Sequence, residues 1–237
     1  MSRAASRLGF LTPLLLVQGI YTRIATPKLP EPQGLRSGSE GEGAELSLLI
    51  LGDSSAAGVG ADFQSQALSG NLVGQLAHDF RVKWRLFAWT GAKTQDLVRA
   101  LATEAIDPAD FVVLAIGVND VTGGIALHDW LSQHDTLLKT LEDAGFGHVV
   151  ISDLPPMGEF PALPKRLRNY LGKRAQTFDQ ARTSWAKGRD TVSIVPMDFD
   201  GVVSELVAKD GFHPGPLAYQ AWGRVLAKVV SRLAKGE

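Results

Sequence analysis

The sequence of 237 residues contains no cysteine. This absence excludes disulfides, thiolate metal ligands and cysteine nucleophiles together, so any nucleophile must carry oxygen or nitrogen. The sequence also lacks large blocks of like charge: 24 basic and 25 acidic residues are interspersed and give a formal charge of −1. One modest basic run, at residues 165–174, is typical of a solvated helix face. We therefore expect no nucleic-acid partner.

Long apolar runs are scarce as well, and the most prominent one lies at the N-terminus. Arg3 and Arg7 precede the run "LGFLTPLLLVQGIY" at residues 8–21, which Pro13 and Gln18 interrupt. The run is shorter than the about 20 residues of a spanning helix, and no A-x-A-like cleavage site follows it. Three interpretations stay open: a membrane-surface or membrane-inserted anchor, a poorly marked export signal, and an arm packed on the domain. We prefer the first two, which imply a membrane-associated or exported protein.

The remaining composition, with 45% hydrophobic and 21% charged residues, is that of a globular protein with a packed core. We divide the chain into an N-terminal arm at residues 1–25, a linker at 26–44 and one domain at 45–237. The linker is predicted because "TPKLPEPQGLRSGSEGEG" is rich in Pro, Gly, Ser and charge and has no periodicity. No interior linker or repeat argues for a second domain.

Within the domain, short apolar runs alternate with amphipathic segments. This alternation predicts an α/β fold in which a mostly parallel, five-stranded sheet is covered on both faces, a three-layer αβα sandwich. The predicted strands are 46–51, 82–89, 111–117, 148–154 and 191–197, and the predicted helices are 67–78, 94–103, 125–144, 164–187 and 216–235. Ligands of such sheets bind beyond the carboxyl ends of the strands. We therefore expect the site among loops 52–60, 89–95, 117–124, 153–164 and 198–215.

The first of these loops, "GDSSAAGVG", places Ser54 and Ser55 at a strand-to-helix turn. Ser is a common helix N-cap, and taken alone the cap is the better interpretation. The alternative is a nucleophile whose developing charge the helix N-terminus stabilises. The loop lacks the Lys-Ser/Thr of a P-loop and the third glycine of G-x-G-x-x-G, which argues against phosphate binding.

A serine nucleophile needs a base, and His213 is the histidine best placed to be one. It lies in the last loop, "KDGFHPGPLAY", three residues after Asp210. Across such a turn the Asp carboxylate can accept from one ring nitrogen while the other faces outward. A capping Asp and an incidental surface His are the alternative. The other histidines have ordinary explanations and no metal-ligand spacing: His78, His128, His134 and His148.

Two further loops contain groups that suit an oxyanion. Asn119, in "GVND" after the central strand, is either an Asx-turn residue or a side-chain donor to a developing negative oxygen. Gly91, in "WTGAKTQ", is either an ordinary turn residue or a position where a backbone N–H approaches the substrate closely.

Taken together, these loops resemble the SGNH hydrolases, also called GDSL esterases and lipases. "GDSS" at 52–55 is similar to that family's first block, Gly91 to its second, "GVND" at 117–120 to its third, and "DGFH" at 210–213 to its fifth. The resemblance extends from about residue 45 to the C-terminus. Ser55 departs from the Leu of the family's nickname, at a position that varies.

The resemblance implies a flavodoxin-like sheet and a serine esterase that needs no metal or organic cofactor. Ser54 would be the nucleophile, His213 its base and Asp210 the residue that orients the imidazole. The implied oxyanion donors are the N–H groups of Ser54 and Gly91 and the side-chain amide of Asn119. Asp53 would be structural, bonding the amides of its own loop.

The substrate is less well defined by the sequence. The Pro-rich segment at 153–172 contains Met157, Phe160 and Leu163, which either line an acyl pocket or belong to an ordinary connector. We expect short-chain acyl esters, because no lid or further domain is visible. Thioesters, lysophospholipids, acyl transfer to an alcohol and a catalytically silent binding module stay open, as does the oligomeric state.

Overall fold

A central sheet of six strands organises the computed structural model, which describes residues 3–197 and 203–237. The strands are β1 (Ser37–Glu40), β2 (Ala44–Gly52), β3 (Phe80–Ala88), β4 (Phe111–Ala115), β5 (His148–Ser152) and β6 (Val192–Val195). Their order across the sheet is β1-β3-β2-β4-β5-β6. All neighbouring pairs are parallel except β1 with β3. The predicted α/β class and the five predicted strands are therefore confirmed.

The sixth strand, β1, corrects the predicted count of five. It pairs with β3 in the register Ser37 to Arg85 and lies inside the segment predicted to be a linker. All four of its residues are exposed, so the strand has no apolar alternation by which the sequence could have indicated it. The same segment is tied to the domain by Glu31, whose carboxylate accepts hydrogen bonds from the N–H and hydroxyl of Thr90. It is therefore not the free tether that we expected.

Helices cover the sheet and include the five that the sequence predicts. The described helices are α1 (Arg3–Ala25), α2 (Ser54–Ala57), α3 (Leu68–Leu76), α4 (Thr94–Thr103), α5 (Val118–Thr122), α6 (Leu127–Asp143), α7 (Lys165–Ala186), α8 (Val203–Leu206) and α9 (Pro216–Ala234). The short helices α2, α5 and α8 were not predicted, because five residues or fewer cannot display a 3.6-residue period. Residues 198–202, part of the last predicted loop, lie outside the described residues.

The two faces of the sheet bury separate hydrophobic clusters, as a three-layer sandwich requires. Along β2, Leu48 and Ile50 belong to the cluster with α3 and α9, whereas Leu49 and Leu51 belong to the cluster with α4. This alternation follows from the two-residue period of a strand, and a central parallel strand is apolar on both faces. A third cluster lies beneath α7 and the loop that follows β5.

Helix α1 contains most of the predicted N-terminal arm and packs against α7. The side-chain oxygen of Gln18 accepts a hydrogen bond from the Leu167 N–H at 3.2 Å. Among the helices in the described ranges, none is both long and apolar enough to cross a membrane.

The contact between α3 and α9 generates a stability prediction. A Cβ on Gly223 of α9 would lie 2.7 Å from the Asn71 Cβ and 2.9 Å from the Leu72 nitrogen. Gly223→Ala should therefore separate the helices and lower the free energy of unfolding by about 1–2 kcal/mol in urea denaturation. Gly74→Ala is the matched control, because nothing lies within 4 Å of a Cβ at that helical position. It should stabilise the protein by about 0.5–1 kcal/mol; destabilisation by both changes would contradict this account.

Candidate active site

The loops that follow β2, β3 and β4 meet the α8–α9 connection at the carboxyl edge of the sheet. After β2 the chain turns sharply into α2, with Asp53 as the N-cap. Gly52 is needed at this turn because a Cβ there would lie 2.1 Å from the Ala115 carbonyl oxygen. The close approach lets the Asp53 N–H donate to that oxygen at 3.1 Å. It also fixes Ser54 at the first position of α2.

Ser54, His213 and Asp210 form one chain of hydrogen bonds. The Ser54 Oγ lies 3.0 Å from the His213 Nε2, and the His213 Nδ1 lies 2.6 Å from the Asp210 Oδ2. Because the carboxylate can only accept, Nδ1–H is the donor, and Nε2 is left to accept the Ser54 hydroxyl proton. The structure thus brings together the three residues that the sequence placed in separate loops.

The Asp210 carboxylate is held ionised by its own turn. Its side chain is fully buried, and burial alone would raise its pKa. Hydrogen bonds from the His213 ring and from the N–H groups of Phe212 and His213 outweigh burial, and the pKa of Asp210 falls below its usual value. Both N–H groups donate to Oδ1, which leaves Oδ2 for the imidazole. The three-residue spacing therefore builds an orienting carboxylate in one turn.

The three predicted oxyanion donors lie in the segments that follow β2, β3 and β4, at the carboxyl edge of the sheet. Gly91 has a φ of +86°, which favours glycine, and a Cβ there would meet nothing within 4 Å. Its N–H and that of Ser54 take part in no hydrogen bond within the described part of the chain. The Asn119 Nδ2 donates one hydrogen to the Ala92 carbonyl at 3.0 Å. The second hydrogen of that amide is left for another acceptor.

A buried pair that the sequence analysis missed holds the second and third of these loops together. The Asp120 Oδ2 accepts from the Thr94 N–H at 3.1 Å and from the Thr94 hydroxyl at 2.9 Å. Burial raises the pKa of Asp120, and the bonds from Thr94 oppose that rise. Asp120 is visible in "GVND", but nothing in the sequence indicates that its partner is Thr94.

Asp53 and Ser55 form a pair that distinguishes the two serines. The Asp53 Oδ1 accepts from the Ser55 N–H at 3.0 Å and from the Ser55 Oγ at 2.7 Å. The Ser55 hydroxyl is thus committed to its own loop, while the Ser54 hydroxyl faces His213. Asp53 is buried, and its Oδ2 finds no partner in the described residues. Burial raises the pKa of Asp53 to about 6, although the bonds from Ser55 act in the opposite direction.

A mostly apolar pocket opens beside Ser54 and His213. It encloses about 720 Å³, its open mouth included. Its charged and hydroxyl-bearing lining residues are Asp53, Ser54, Ser55, Asp153 and His213, and aliphatic and aromatic residues, Met197 and prolines form the rest. Of the three pocket residues proposed from the sequence, Phe160 lines this space. Met157 and Leu163 are buried in the third cluster instead and do not line it.

Arg182 of α7 supports the wall of this pocket from behind. Its guanidinium is fully buried, and its Nη2 donates to the Ser152 carbonyl and to the carboxylates of Asp153 and Asp179 at 2.8–3.2 Å. Asp179 in turn accepts from the Leu154 N–H. Burial raises the pKa of Asp179 to about 7 despite the neighbouring Arg182. Nothing in the sequence indicates this support, because Ser152 and Asp153 lie about 30 positions from Arg182.

Elsewhere, the other histidines take no part in this site. His134 is buried, and its Nδ1 lies 3.0 Å from the Trp130 carbonyl oxygen. Burial lowers the pKa of His134 to about 3. His148 bonds the Ser193 hydroxyl. In residues 3–197 and 203–237, no group of three or more side chains is arranged to hold a metal ion.

Comparison with solved structures places the fold among lipases and esterases. The protein is similar to the lipase Lip_vut3 from a goat rumen metagenome, with 19% identity, a TM-score of 0.63 and coverage of 77% of this chain and 96% of that one. It is similar to TesA, with 23% identity, a TM-score of 0.61 and coverage of 80% and 98%. It is also similar to the psychrotrophic esterase EstA from Pseudoalteromonas, with 17% identity, a TM-score of 0.57 and coverage of 80% and 97%. At these identities the likeness concerns the fold.

The family is identified by comparison of the sequence with a family model. No curated protein matches the sequence. The sequence model of the GDSL-like lipase/acylhydrolase family, however, matches residues 50–221, a range that contains Ser54, Gly91, Asn119, Asp210 and His213. Because this match covers well over half of the chain, the protein belongs to the GDSL-like lipase/acylhydrolase family, a family of hydrolases.

Proposed function

We propose that the protein is a serine esterase that hydrolyses carboxylic esters through an acyl-enzyme intermediate. The observation that carries the proposal is the hydrogen-bond chain from Asp210 through His213 to Ser54, which ends at an apolar pocket. A binding module would have no need of a serine hydroxyl facing a bare imidazole nitrogen whose other nitrogen is held by an ionised carboxylate.

In the first half of the reaction Ser54 attacks the ester carbonyl. His213 Nε2 takes the hydroxyl proton and then gives it to the leaving alcohol. Asp210 keeps the imidazole in the correct tautomer and stabilises the imidazolium, which its lowered pKa and its two backbone hydrogen bonds allow. In the second half a water replaces the alcohol, and the same proton transfers release the acid.

The negative oxygen formed in each half needs donors that are free before the reaction begins. We assign this role to the N–H groups of Ser54 and Gly91 and to the second amide hydrogen of Asn119. The bond from Asn119 to Ala92 supports the assignment, because it orients the side chain without using both hydrogens. Thr94 and Asp120 act as positioning residues that keep the two donor loops together.

The apolar lining favours an acyl group that is a hydrocarbon chain. Each methylene buried in such a pocket contributes about 0.8 kcal/mol, or roughly a fourfold increase in kcat/KM, until the pocket is filled. Short-chain acyl esters remain our expected substrates. Two of the proteins with similar folds are the lipase Lip_vut3 and the esterase EstA, and the EstA structure is inhibited by monoethylphosphonate.

The decisive experiment compares the wild type with Ser54→Ala and Ser55→Ala. The wild type should turn over nitrophenyl esters, with kcat/KM rising from acetate to butyrate, and should be labelled covalently by a fluorophosphonate. Ser54→Ala should lose both properties, because no other hydroxyl faces His213 in the described residues. Ser55→Ala should keep both.

Labelling that persists in Ser54→Ala and disappears in Ser55→Ala would show that the nucleophile is Ser55 and that our assignment of Ser54 is wrong. If no ester of the series were turned over and no label were taken up, the binding-module alternative would replace the esterase.

The oxyanion assignment predicts a specific kinetic effect of Asn119→Ala. Loss of the amide donor should lower kcat by about 10²–10³-fold with a much smaller change in KM, since the interaction is made in the transition state. Thr94→Val is the matched control, because it disturbs the same pair of loops but leaves the amide in place. It should lower kcat less than about tenfold. Equal losses in the two variants would mean that loop position matters and the amide does not.

We assign a structural role to Asp53, and its raised pKa makes that role measurable. Because the pKa is higher in the folded state, about 6 against 3.8, the folded state binds the proton more tightly. The contribution of Asp53 to stability is therefore complete at low pH and decreases as pH rises through this window. Asn can accept the same two bonds from Ser55 without ionising.

For Asp53→Asn we expect a pH-dependent difference from the wild type in urea unfolding. The stability of the wild type relative to the variant should fall by about 3 kcal/mol between about pH 3 and pH 7. Asp210→Asn is the control of opposite sign: its pKa is lowered, so the wild type should gain relative to that variant as pH rises. A difference for Asp53→Asn that does not vary with pH would show that this carboxyl ionises normally.

A further inference from the structure

The C-terminal half of helix α1 turns an apolar face toward solvent. Five large apolar side chains on one face are each at least 60% exposed: Leu16, Val17, Ile20, Tyr21 and Ile24. We call these five residues the α1 stripe. Their spacings of one, three and four residues place them on one face of a helix. A helix on the surface of a globular protein normally turns such a face toward the core.

The face of α1 that points toward the protein mixes polar and apolar residues: buried Thr22 and half-buried Gln18 lie there with half-buried Leu14, Leu15 and Gly19. Gln18 accepts the Leu167 N–H, and Thr22 is buried and donates to the Gln18 carbonyl at 2.8 Å. Among the α1 side chains that the structure describes, those of residues 13–25, Leu15 packs against the third hydrophobic cluster and is half-buried. The α1 stripe faces outward because the opposite face meets α7, where one hydrogen bond joins Leu167 to Gln18 and Leu15 adds an apolar contact. A contiguous exposed apolar surface of this kind marks an interaction site.

Charge indicates what the α1 stripe contacts. The first 30 residues contain Arg3, Arg7, Arg23 and Lys28 and no acidic residue, although the chain as a whole carries a charge of −1. Lys165 and Arg166 are exposed at the start of α7, directly before the residue that bonds α1. An apolar face with cations beside it fits an anionic lipid surface. A second copy of the chain would instead bring two basic regions together.

We propose that the α1 stripe binds the surface of anionic lipid bilayers. The helix would insert its apolar face at the boundary between headgroups and acyl chains, with the basic residues contacting phosphate groups. This proposal does not depend on the proposed esterase activity. It does place the candidate active site near the lipid, since α1 packs on the cluster that contains Phe160, a residue of the pocket wall.

The test is flotation of the full-length protein with vesicles of equal parts phosphatidylcholine and phosphatidylglycerol. The wild type should float with these vesicles, and less with pure phosphatidylcholine or at high salt, because salt screens the charges. Ile20→Gln/Ile24→Gln should reduce binding at least tenfold, since it removes two of the five apolar side chains while Gln retains helix propensity. Leu35→Gln is the matched control: Leu35 is equally exposed but lies outside α1, so binding should not change.

Thermal unfolding of all three proteins should coincide, which separates lost binding from lost folding, and light scattering should give the same mass for each. The proposal is overturned if the wild type fails to float, or if the double variant floats as well as the wild type. It is also overturned if the wild type is an oligomer and the double variant is a monomer, because the α1 stripe would then be a contact between copies.

Discussion

The buried hydrogen bond from the Tyr219 hydroxyl to the Val59 carbonyl, 2.7 Å long, is the contact on which the arrangement of the site depends. Val59 belongs to the loop that follows the helix of Ser54, and Tyr219 lies in the first turns of α9, just after His213. The same two segments touch at Gly60, where a Cβ would lie 2.1 Å from the Pro214 carbonyl oxygen. Ser54 and His213 are 159 positions apart in the chain, and these contacts hold the Ser54 Oγ and the His213 Nε2 at 3.0 Å. The serine and the histidine are positioned by packing around them, and their own hydrogen bond adds to a geometry that already exists.

Three buried carboxyl groups in the loops around the serine differ in the direction of their pKa shift. Asp53, Asp120 and Asp210 are all buried, and burial disfavours the charge on each. Only Asp210 combines two backbone N–H donors on one oxygen with an imidazole on the other, and only its pKa is lowered. The pKa values of the other two are raised, and their bonds run to the loops that surround the serine. Position near the serine therefore does not decide the role of a carboxylate; the number and kind of its donors does.

The sequence predicted the layers of the fold because apolar periodicity is a local property, and the strands and long helices differ from prediction by a few residues only. It failed at β1, whose residues are exposed on both faces and carry no periodic pattern. For the site, glycines and polar residues at strand ends indicated the loops, but not the pairs that connect them. Thr94 with Asp120, and Arg182 with Asp153, are joined across 26 and 29 positions by burial that no spacing rule describes. Likewise Met157 and Phe160 are both apolar residues of one segment and both belong to the third cluster, and only the packing brings Phe160 to the pocket wall as well.

The third hydrophobic cluster links the pocket to α1, and this connection explains how lipid binding by the α1 stripe would serve the candidate active site. Phe160 and Phe212 line the pocket and contact each other edge to face, with ring centroids 5.2 Å apart. Leu15 packs against the same cluster, so the wall of the pocket and the inner side of α1 are two faces of one apolar body. Each methylene in the acyl chain of an ester shifts its partition from water toward a bilayer by about 0.8 kcal/mol. If α1 rests on the lipid, the substrate meets the pocket from the phase in which it is concentrated, and the gain lies in encounter rather than in the chemical step.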